Sequence, residues 1–528
     1  MLVGDIVASN ARLFPNKLAI IDDRTRLTWL EFNSRVNKLA NALLGLRLKK
    51  GDRVAILCEN GHEYAEFLFA VAKAGLITVC LNYRLTADQL THILNDCEPR
   101  AIFAEHKFAE TTGQNRSKAK SIEFVVGIGP GHGYEHDYES LLLQYPATEP
   151  KVAIDEQDIY RLQYTTGTTG TRKGAMLTHK NEITNCMMRV QNSPTYRDDV
   201  VLHAAPLFAV GTQARFFGTC FVSATSVVIV FSAQTFVEMV ERERVTYSSL
   251  LPATTFKLVK DYLESSPRKY DLSSWRKFQP EGGQHCSRTD LKEMLDYFHI
   301  PYTYICKPYG MTEAMPASYL VQEDVAIGLS PQATGKEKQR LESVGKPLFD
   351  GDMRVVDDND RDAPPGQIGE IVVKGPQVMK GYWNNPELTA KALRGGWFHT
   401  ADLGILDEDG YLYFKGRKDF VIKSGGFLVG PEEVESVVLQ YPAVAETAVI
   451  GIPDKKWGQV VTAVTCLKPG YKASEEEIRN HCRRHLAAFQ VPKSVIFIDK
   501  LPRDIAYGKI DRRALIKTYS ESAEGGHP

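Results

Sequence analysis

Short apolar strand patterns that alternate with helical patterns constrain the fold of this chain more than any other feature. Residues 54–57, 77–81 and 101–103 are apolar runs, and residues 62–74 and 87–96 between them have helical periodicity. This β-α-β-α-β order predicts a mostly parallel sheet with helices on its faces. The same order returns further along the chain in four more segments, which are residues 200–204, 226–230, 235–243 and 302–305.

The pattern changes after about residue 345. Residues 353–356 and 369–373 alternate with turn residues and predict a small antiparallel β region. The last hundred residues predict a separate α+β arrangement, with helices at 431–439 and 474–486 and strands at 445–450, 460–467 and 494–497.

A length of 528 residues exceeds what one core normally supports. The prediction is therefore an α/β protein with a large N-terminal domain, residues 1–417, and a small α+β C-terminal domain, residues 418–528, joined by a hinge. The large domain combines parallel α/β subdomains with the small β region.

Bulk composition excludes several classes of protein. The formal net charge is −1, which gives no basis for binding nucleic acid or an anionic membrane. The longest apolar run, near residues 226–231, is too short to span a bilayer, and the first residues lack the pattern of a signal peptide. Nine cysteines occur without a C-x-x-C pair, which favours reduced thiols in a cytoplasmic enzyme over a zinc site or disulfides.

A segment rich in glycine and threonine is the first candidate for chemistry. Residues 164–174 hold three glycines, five threonines and the cations Arg172 and Lys173. Backbone N–H groups, hydroxyls and a lysine are the donors that grip phosphates. The spacing is not that of a Walker A loop, because Arg172 stands where that motif needs glycine. A solvated hairpin loop is an equally good reading of this composition.

The second candidate, residues 307–313, follows the predicted strand at 302–305. The carboxyl end of a parallel strand is where such sheets bind ligands. There Tyr309 could stack on a base, Thr312 could bond a phosphate, and Glu313 could hold Mg²⁺. The alternative is a helix start with Thr312 as its cap.

Two further candidates lie in the last third of the chain. Residues 396–402, 416–419 and 423–426 are dense in glycine and charge, and Asp402 could bind a ribose diol. Turn chemistry between short strands is the alternative. Near the C-terminus, Lys509 follows a glycine in residues 502–512, where a surface lysine is the ordinary interpretation.

In this order and spacing, the four motifs resemble the adenylate-forming superfamily of acyl- and aryl-CoA synthetases, peptide-synthetase adenylation domains and luciferases. The resemblance covers nearly the whole chain. It implies activation of a carboxylic acid as its acyl adenylate with ATP and Mg²⁺, followed by transfer to a thiol such as coenzyme A. The acid would be hydrophobic, fatty or aromatic.

The resemblance also implies roles for individual residues. Lys509 would reach the α-phosphate, Thr312 a phosphate and Glu313 the metal, while Asp419 would be the hinge. The residues implied to contact ATP are Thr165, Thr166, Gly167, Thr168, Thr169, Lys173, Gly283, Gln284, Tyr309, Asp402 and Arg417. Those implied near coenzyme A are Gly425, Gly426, Trp457 and Phe489, the last two with small-domain core as an equal alternative. The candidates for the acid pocket are Phe208, Ala209, Gly211, Pro308 and Met311.

Several positions depart from the usual pattern of the superfamily. Arg172 replaces a proline before the loop lysine, and Ala209 replaces a common histidine. Gln284 and His285 stand in place of alanine and proline, and Pro308 stands where glycine is frequent, which indicates a shorter pocket. The asparagine that usually follows the glycine pair is absent from residues 427–431.

Three functions are compatible with these residues. The first is an acyl-CoA synthetase, and the second is an enzyme that loads the phosphopantetheine arm of a carrier protein. The third, a nucleotide-binding protein without activity, is disfavoured because Lys509, Glu313 and Asp402 occur together. The sequence indicates no cation that would pair with a second carboxylate of the acid, and it is compatible with a monomer or a homo-oligomer.

Overall fold

A computed structural model describes residues 1–131, 133–165, 172–250, 252–280, 288–301, 305–504 and 509–524. The chain forms two compact units. The first unit contains residues 1–353 and 373–398, and the second contains residues 354–372 and 399–528. Asp419 lies within the second unit, so a domain boundary after residue 417 and a hinge at Asp419 stay predictions.

The strands define the sheets of both units. In chain order they are β1 Leu18–Ile21, β2 Arg26–Thr28, β3 Arg53–Leu57, β4 Ile77–Cys80, β5 Ala101–Glu105, β6 Phe124–Ile128, β7 His136–Asp137, β8 Ile159–Thr165, β9 Lys173–Thr178, β10 Val200–His203, β11 Thr225–Val228, β12 Tyr247–Leu250, β13 Lys277–Pro280, β14 Lys307–Met311, β15 Ala314–Leu320, β16 Lys346–Pro347, β17 Asp352–Val356, β18 Gly369–Lys374, β19 Gly381–Tyr382, β20 Phe398–Leu406, β21 Leu412–Arg417, β22 Ile422–Ser424, β23 Phe427–Val429, β24 Val444–Asp454, β25 Gly458–Leu467 and β26 Ser494–Phe497.

The helices connect these strands. In chain order they are α1 Val3–Leu13, α2 Trp29–Gly45, α3 His62–Lys73, α4 Ala87–Cys97, α5 Ala109–Lys118, α6 Tyr138–Leu143, α7 His179–Asn192, α8 Val210–Phe221, α9 Ala233–Arg242, α10 Pro252–Ser265, α11 Arg288–Phe298, α12 Gln322–Leu329, α13 Gly335–Arg340, α14 Pro386–Ala392, α15 Pro431–Val438, α16 Glu475–Arg483 and α17 Arg512–Glu524. Among the described residues, no helix has the length and apolar composition needed to cross a bilayer.

Two large sheets dominate the first unit. One has the strand order β19-β9-β8-β4-β3-β5-β6-β7, and the other has the order β13-β12-β10-β11-β1-β2. The pairs that link β8, β4, β3, β5, β6 and β7 are parallel, as are those that link β13, β12, β10, β11 and β1. The predicted α/β fold with mostly parallel sheets is confirmed.

The motif at residues 307–313 lies on a hairpin that the sequence analysis did not predict. Residues 307–311 form β14, which pairs antiparallel with β15 and turns at Thr312 and Glu313. The alternative of a helix capped by Thr312 is wrong, because the chain continues as β15. The strand predicted at 302–305 falls mostly on residues outside the described part of the chain. The alternating pattern of residues 314–320 is typical of a strand, and it was the sequence signal for β15 and hence for this hairpin.

The second unit has the predicted α+β character. Residues 354–372 and 399–417 supply most of a sheet with the order β17-β18-β20-β21, and a further sheet combines β22 to β26. Successive residues of β24 and β25 face opposite sides of that sheet. Val449 and Ala463 therefore pack in one apolar cluster, whereas Ala448 and Val464 pack in another.

A buried ionic network connects β8 with the two helices that follow it. Arg161 of β8 donates from Nη2 to Glu182 Oε2 of α7 at 3.1 Å, and from Nη1 to Gln213 Oε1 of α8. The hydroxyl of Tyr160 also donates to Glu182. The side chains of Arg161 and Glu182 are only 1% and 2% exposed. Because both charges are removed from water, each depends on the other for compensation.

Removal of the carboxylate should therefore be strongly destabilising. A Glu182→Ala variant leaves the Arg161 guanidinium buried without its counter-charge, which should lower the free energy of unfolding by about 3–5 kcal/mol. Thermal and urea unfolding of the first unit would measure the change. Glu156→Ala is the matched control, since Glu156 pairs with Lys180 at 3.3 Å on the surface and should contribute less than about 1 kcal/mol. Equal effects of the two substitutions would contradict the role of the buried pair.

Candidate active site

The glycine- and threonine-rich segment connects two antiparallel strands. Thr165 ends β8, Lys173 begins β9, and these two residues are register partners. Four of the predicted phosphate contacts, Thr166, Gly167, Thr168 and Thr169, lie outside the described residues. The strands nevertheless fix where the segment starts and ends, because β8 is held by the buried Arg161 network.

Tyr382 brings the Lys173 and Glu313 side chains together. The Nζ atom of Lys173 lies 5.6 Å from the centroid of the Tyr382 ring, and the Tyr382 hydroxyl donates to Glu313 Oε1 at 2.8 Å. The backbone N–H of Met379 also donates to the carbonyl oxygen of Glu313 at 2.8 Å. A predicted phosphate ligand and a predicted metal ligand, 140 positions apart in the chain, therefore flank one ring.

The sequence interpretation missed Tyr382. It lies in β19, which pairs antiparallel with β9 at the edge of the large sheet. The preceding Gly381 has φ of 146°, and a Cβ there would lie 2.6 Å from the Thr389 methyl group. The sequence signal that could have identified Tyr382 is the run Gly381-Tyr382-Trp383. A glycine directly before two aromatic residues is typical of a place where the backbone packs closely against another element.

The residues at this point fit a divalent cation. Glu313 is half-buried at the turn between β14 and β15, and Tyr382 takes one carboxylate oxygen and so fixes the orientation of the other. Carboxylate and hydroxyl oxygens are the ligands that Mg²⁺ prefers, together with substrate phosphates. Thr312 is the neighbouring hydroxyl, although its role in phosphate binding stays a prediction.

Strand β14 carries three of the other predicted residues. Pro308 pairs with Tyr319, Tyr309 with Ser318, and Met311 with Ala314. Adjacent side chains of a strand point to opposite faces, so Pro308 and Tyr309 face different sides. Gly310 has no space for a side chain, since a Cβ would lie 2.9 Å from the Ala314 carbonyl oxygen. The predicted adenine contacts Gly283 and Gln284 lie outside the described residues.

The start of α8 carries the remaining acid-pocket candidates. Phe208 is buried, and its ring lies 5.1 Å from that of Tyr83 in an edge-to-face arrangement. Ala209 is the residue before the helix, and a Cβ added at Gly211 would meet none of the described atoms within 4 Å. Open space at Gly211 is what a pocket wall requires. The assignment of these residues to the acid stays a prediction.

Three predicted residues meet in the second unit. Arg417 Nε lies 3.1 Å from Asp402 Oδ1, across the antiparallel pair of β20 and β21. Loss of hydration and repulsion from Arg417 lower the pKa of Lys509, while attraction to Asp504 and Asp402 opposes them. Lys509 is exposed, so an anion could reach it. A bound anion would offset the repulsion from Arg417 and would therefore raise the pKa of Lys509.

A patch of aromatic and basic side chains surrounds the glycine pair of the second unit. The N–H of Gly425 donates to the Trp457 carbonyl oxygen at 2.9 Å, and at φ of 59° a Cβ on Gly425 would lie 2.8 Å from the Trp457 ring. The Nζ atoms of Lys456 and Lys493 lie 5.2 and 4.9 Å from the centroid of that ring. Trp457 is 37% exposed, so it is not a core residue.

Phe489 belongs to the same face through Phe427. Their rings stack with a centroid distance of 4.5 Å and an interplanar angle of 17°, and Phe427 is 54% exposed. Phe489 also packs against an apolar cluster of the second unit, so its alternative role as part of the core has support as well. The predicted hinge residue Asp419 has Oδ2 4.0 Å from Arg513.

Comparison with known proteins identifies relatives along the whole chain. Residues 7–383 match the family profile described as AMP-binding enzyme, and residues 433–509 match the AMP-binding enzyme C-terminal domain. A feruloyl-CoA synthase of an Amycolatopsis species is 35% identical over 97% of this chain and 99% of its own length. A 2-succinylbenzoate–CoA ligase of Geobacillus sp. (strain WCH70) is 33% identical over 94% of this chain and 93% of its own length.

A solved structure agrees with these relatives. The anthranilate CoA ligase AuaEII in complex with anthranoyl-AMP superposes with a TM-score of 0.87 at 27% identity, covering 99% of this chain and 98% of that chain. The chain therefore belongs to the AMP-binding enzyme family, the adenylate-forming superfamily of acid–thiol ligases that act through an acyl adenylate.

Proposed function

We propose that this chain is an AMP-forming acid–CoA ligase that activates a largely apolar carboxylic acid. The observation that carries the proposal is the position of Lys509 beside the Asp402–Arg417 pair within one compact unit. An acidic residue for a ribose and two cations for phosphate and carboxylate are what adenylation requires. Its site of action is the cytoplasm, which accords with eight described cysteines that are all free and buried.

Adenylation needs neutralisation of charge more than proton transfer. A carboxylate oxygen of the acid attacks the α-phosphorus of ATP, the bond to the bridging oxygen breaks, and pyrophosphate leaves with the electron pair. The acid is already ionised, so no general base is required. Lys509 offsets the negative charge where the two anions meet, and Lys173 offsets the charge that accumulates on pyrophosphate.

Glu313 is the residue that would hold Mg²⁺, which supplies charge neutralisation and alignment of the phosphates when bound. Tyr382 fixes the carboxylate of Glu313 and places its own ring under Lys173. Thr165 and Thr312 add hydroxyl donors at the ends of β8 and β14. Asp402 and Arg417 are assigned to the ribose, and Tyr309 to the adenine ring.

The second half-reaction needs a thiol. Its thiolate attacks the acyl carbonyl carbon, AMP leaves, and the thiol proton passes to solvent; a free thiol with a pKa of about 8.5 needs only modest assistance. The patch formed by Trp457, Phe427 and Phe489 with Lys456 and Lys493 offers aromatic faces for an adenine and ammonium groups for phosphates. This patch favours coenzyme A over the phosphopantetheine arm of a carrier protein, which has no adenine.

The decisive assay is ATP–pyrophosphate exchange across a panel of carboxylic acids, repeated as AMP release with and without CoA. Acid-dependent exchange with release of AMP that CoA stimulates would support the proposal. Exchange that only a holo carrier protein converts to AMP release would favour the carrier-loading enzyme instead. Nucleotide binding without exchange for any acid would favour the non-catalytic protein.

A Lys509→Ala variant should separate the two half-reactions. Loss of a cation directed at a developing charge typically reduces the rate by about 10²–10³, so exchange should fall by that factor. Thioester formation from a synthetic acyl adenylate should remain within a few-fold of wild type. Lys500→Ala, an exposed lysine of the same unit, is the control. Unchanged exchange in Lys509→Ala would refute the assigned role.

Tyr382→Phe tests the arrangement at Glu313. The substitution keeps the ring under Lys173 and removes only the hydroxyl that bonds the carboxylate. A hydrogen bond to a charged group contributes about 1.5–3 kcal/mol, so the Mg²⁺ concentration for half-maximal exchange should rise about tenfold or more. Tyr297→Phe, whose ring packs on Phe256 and Phe298, is the matched control. An unchanged Mg²⁺ dependence would show that Tyr382 does not act through Glu313.

Trp457→Ala tests the acceptor. Stacking of a base on an aromatic side chain contributes about 1–3 kcal/mol, so the KM for CoA should rise about tenfold while ATP–pyrophosphate exchange stays unchanged. With pantetheine, which lacks the adenine, wild type and variant should perform equally. Tyr471→Ala is the control, because Tyr471 is exposed at the opposite end of β25. An equal loss with CoA and pantetheine would argue against an adenine contact.

A further inference from the structure

The C-terminal end of helix α4 contacts the strands that hold the phosphate and metal candidates. Asp96 is the last residue but one of α4, and it is half-buried. The hydroxyl of Tyr164 in β8 donates to Asp96 Oδ2. Two donors that follow β19 reach the Asp96 carbonyl oxygen, Trp383 Nε1 at 3.3 Å and Asn384 Nδ2 at 3.1 Å. One residue, which lies outside all four sequence motifs, thus binds two segments of the candidate site.

Tyr164 and Trp383 also meet at a single glycine. Gly174 is the register partner of Tyr164 across β8 and β9, and a Cβ on Gly174 would lie 3.0 Å from the ring carbon Cζ of Tyr164. The carbonyl oxygen of Gly174 accepts from the backbone N–H of Trp383 at 2.8 Å. A glycine at this position lets the Tyr164 ring lie against the backbone of β9.

These three residues are direct neighbours of residues assigned to ATP or to the metal. The neighbouring pairs are Tyr164 with Thr165, Gly174 with Lys173, and Trp383 with Tyr382. Consecutive Cα atoms are only about 3.8 Å apart, so a residue that is fixed leaves its neighbour little freedom of position. The contacts of Asp96 therefore bear on where both ends of the phosphate hairpin lie.

Arg53 fixes the end of α4 from the other side. Its Nε and Nη2 atoms donate to the carbonyl oxygens of Cys97 and Glu98 at 2.7 and 3.0 Å. Its guanidinium carbon lies 5.6 Å from the centroid of the Trp383 ring. A cation at the carbonyl groups that end a helix compensates their partial negative charge. The Asp96 carboxylate is therefore carried by a well-anchored backbone, which makes it a fixed acceptor for Tyr164.

A carboxylate is an unfavourable choice for this position in the helix. The C-terminus of a helix carries partial negative charge, so Asp96 in the last turn of α4 disfavours the helix that holds it. Burial, together with the neighbouring Cys97 and Asp96, raises the pKa of Tyr164, so the hydroxyl stays protonated and donates to the carboxylate. A residue that breaks a local rule but is paired across the fold is expected where the pairing supports a functional site.

We propose that Asp96 is a positioning residue for the MgATP site, and that it acts through its hydrogen bond from Tyr164. This bond sets the end of β8, and with it Thr165 and the opposite Lys173 of β9. The role rests on the proposed function, to which it adds a residue of α4 on which the affinity for ATP depends. Asp96 acts through these strands and not by contact with the nucleotide.

Asp96→Ala removes the acceptor of the Tyr164 hydroxyl. Loss of a hydrogen bond to a charged group should raise the KM for ATP in ATP–pyrophosphate exchange about tenfold, while the KM for the acid stays as in wild type. Thioester formation from a synthetic acyl adenylate should also be unchanged. Asp88→Ala is the matched control, because Asp88 lies on the same helix and pairs with Lys118 at 2.6 Å on the surface. Equal rises in KM for ATP and for the acid would overturn the proposal, since general loosening of the fold affects both.

Two conservative variants distinguish positioning from packing. Asp96→Asn keeps an acceptor oxygen, so its KM for ATP should stay within about threefold of wild type. Tyr164→Phe keeps the ring against Gly174 and removes only the donor, so it should reproduce Asp96→Ala. The double variant Asp96→Ala/Tyr164→Phe should be no worse than either single variant, because both remove the same interaction. Additive losses in the double variant would overturn the assignment to this bond.

Nucleotide binding without turnover keeps this role separate from the proposed function. Calorimetric titration with Mg²⁺ and α,β-methylene ATP measures the affinity directly, and the thermal midpoint of each variant reports its folding. Absence of exchange with every acid would refute the proposed function, whereas an affinity that falls about tenfold in Asp96→Ala and returns in Asp96→Asn would still support the role of Asp96. Wild-type affinity in Asp96→Ala would overturn it. Should Asp96→Ala fail to fold, Tyr164→Phe decides by the same criterion.

Discussion

The buried contact of Arg161 with Glu182 and Gln213 is the interaction on which the first unit depends. It joins β8, whose end leads into the glycine- and threonine-rich segment, to α7 and α8. Gln213 in turn donates to the Leu207 carbonyl oxygen at 2.5 Å and so fixes the residues just before Phe208 and Ala209. A guanidinium without access to water cannot tolerate loss of these partners, so the geometry of three elements is set by one charge.

The candidate anion sites also combine cations with groups that fix their position. Lys173 lies over the Tyr382 ring, whereas Arg417 lies 3.1 Å from the Asp402 carboxylate, and both of these residues act electrostatically on Lys509. An aromatic face holds an ammonium group while leaving its charge available, which suits sites where phosphates or carboxylates must arrive and leave.

The candidate site residues are divided between the two units. The first unit carries Lys173, Glu313 and the acid-pocket candidates, whereas the second carries the Asp402–Arg417 pair, Lys509 and the aromatic patch. Two half-reactions with different attacking groups need different surroundings at the same acyl carbon. Because Asp419 lies inside the second unit, a hinge at this residue stays a prediction from the family resemblance.

Local signals in the sequence were sufficient for most of the architecture. Apolar runs of four or five residues predicted the parallel strands, because a strand that is buried on both faces is apolar at nearly every position. Helical periodicity predicted α3, α4, α9 and α15. The hairpin at the second motif was not predicted, because a five-residue run such as residues 307–311 does not show which strand it pairs with. Its antiparallel partner β15 becomes evident only when the two strands pair.

Residue types near one another in the chain thus determined the family, the fold class and the composition of each motif. The tertiary structure alone decided which of them meet. Tyr382 is 69 positions from Glu313 and 209 from Lys173, and the hydrogen-bonded residues Arg161, Glu182 and Gln213 lie on three separate elements. The physical reason is that charges and hydrogen-bond donors act over a few ångströms in space, whatever their separation in the chain, so side chains distant in sequence form a site only after the strands and helices pack.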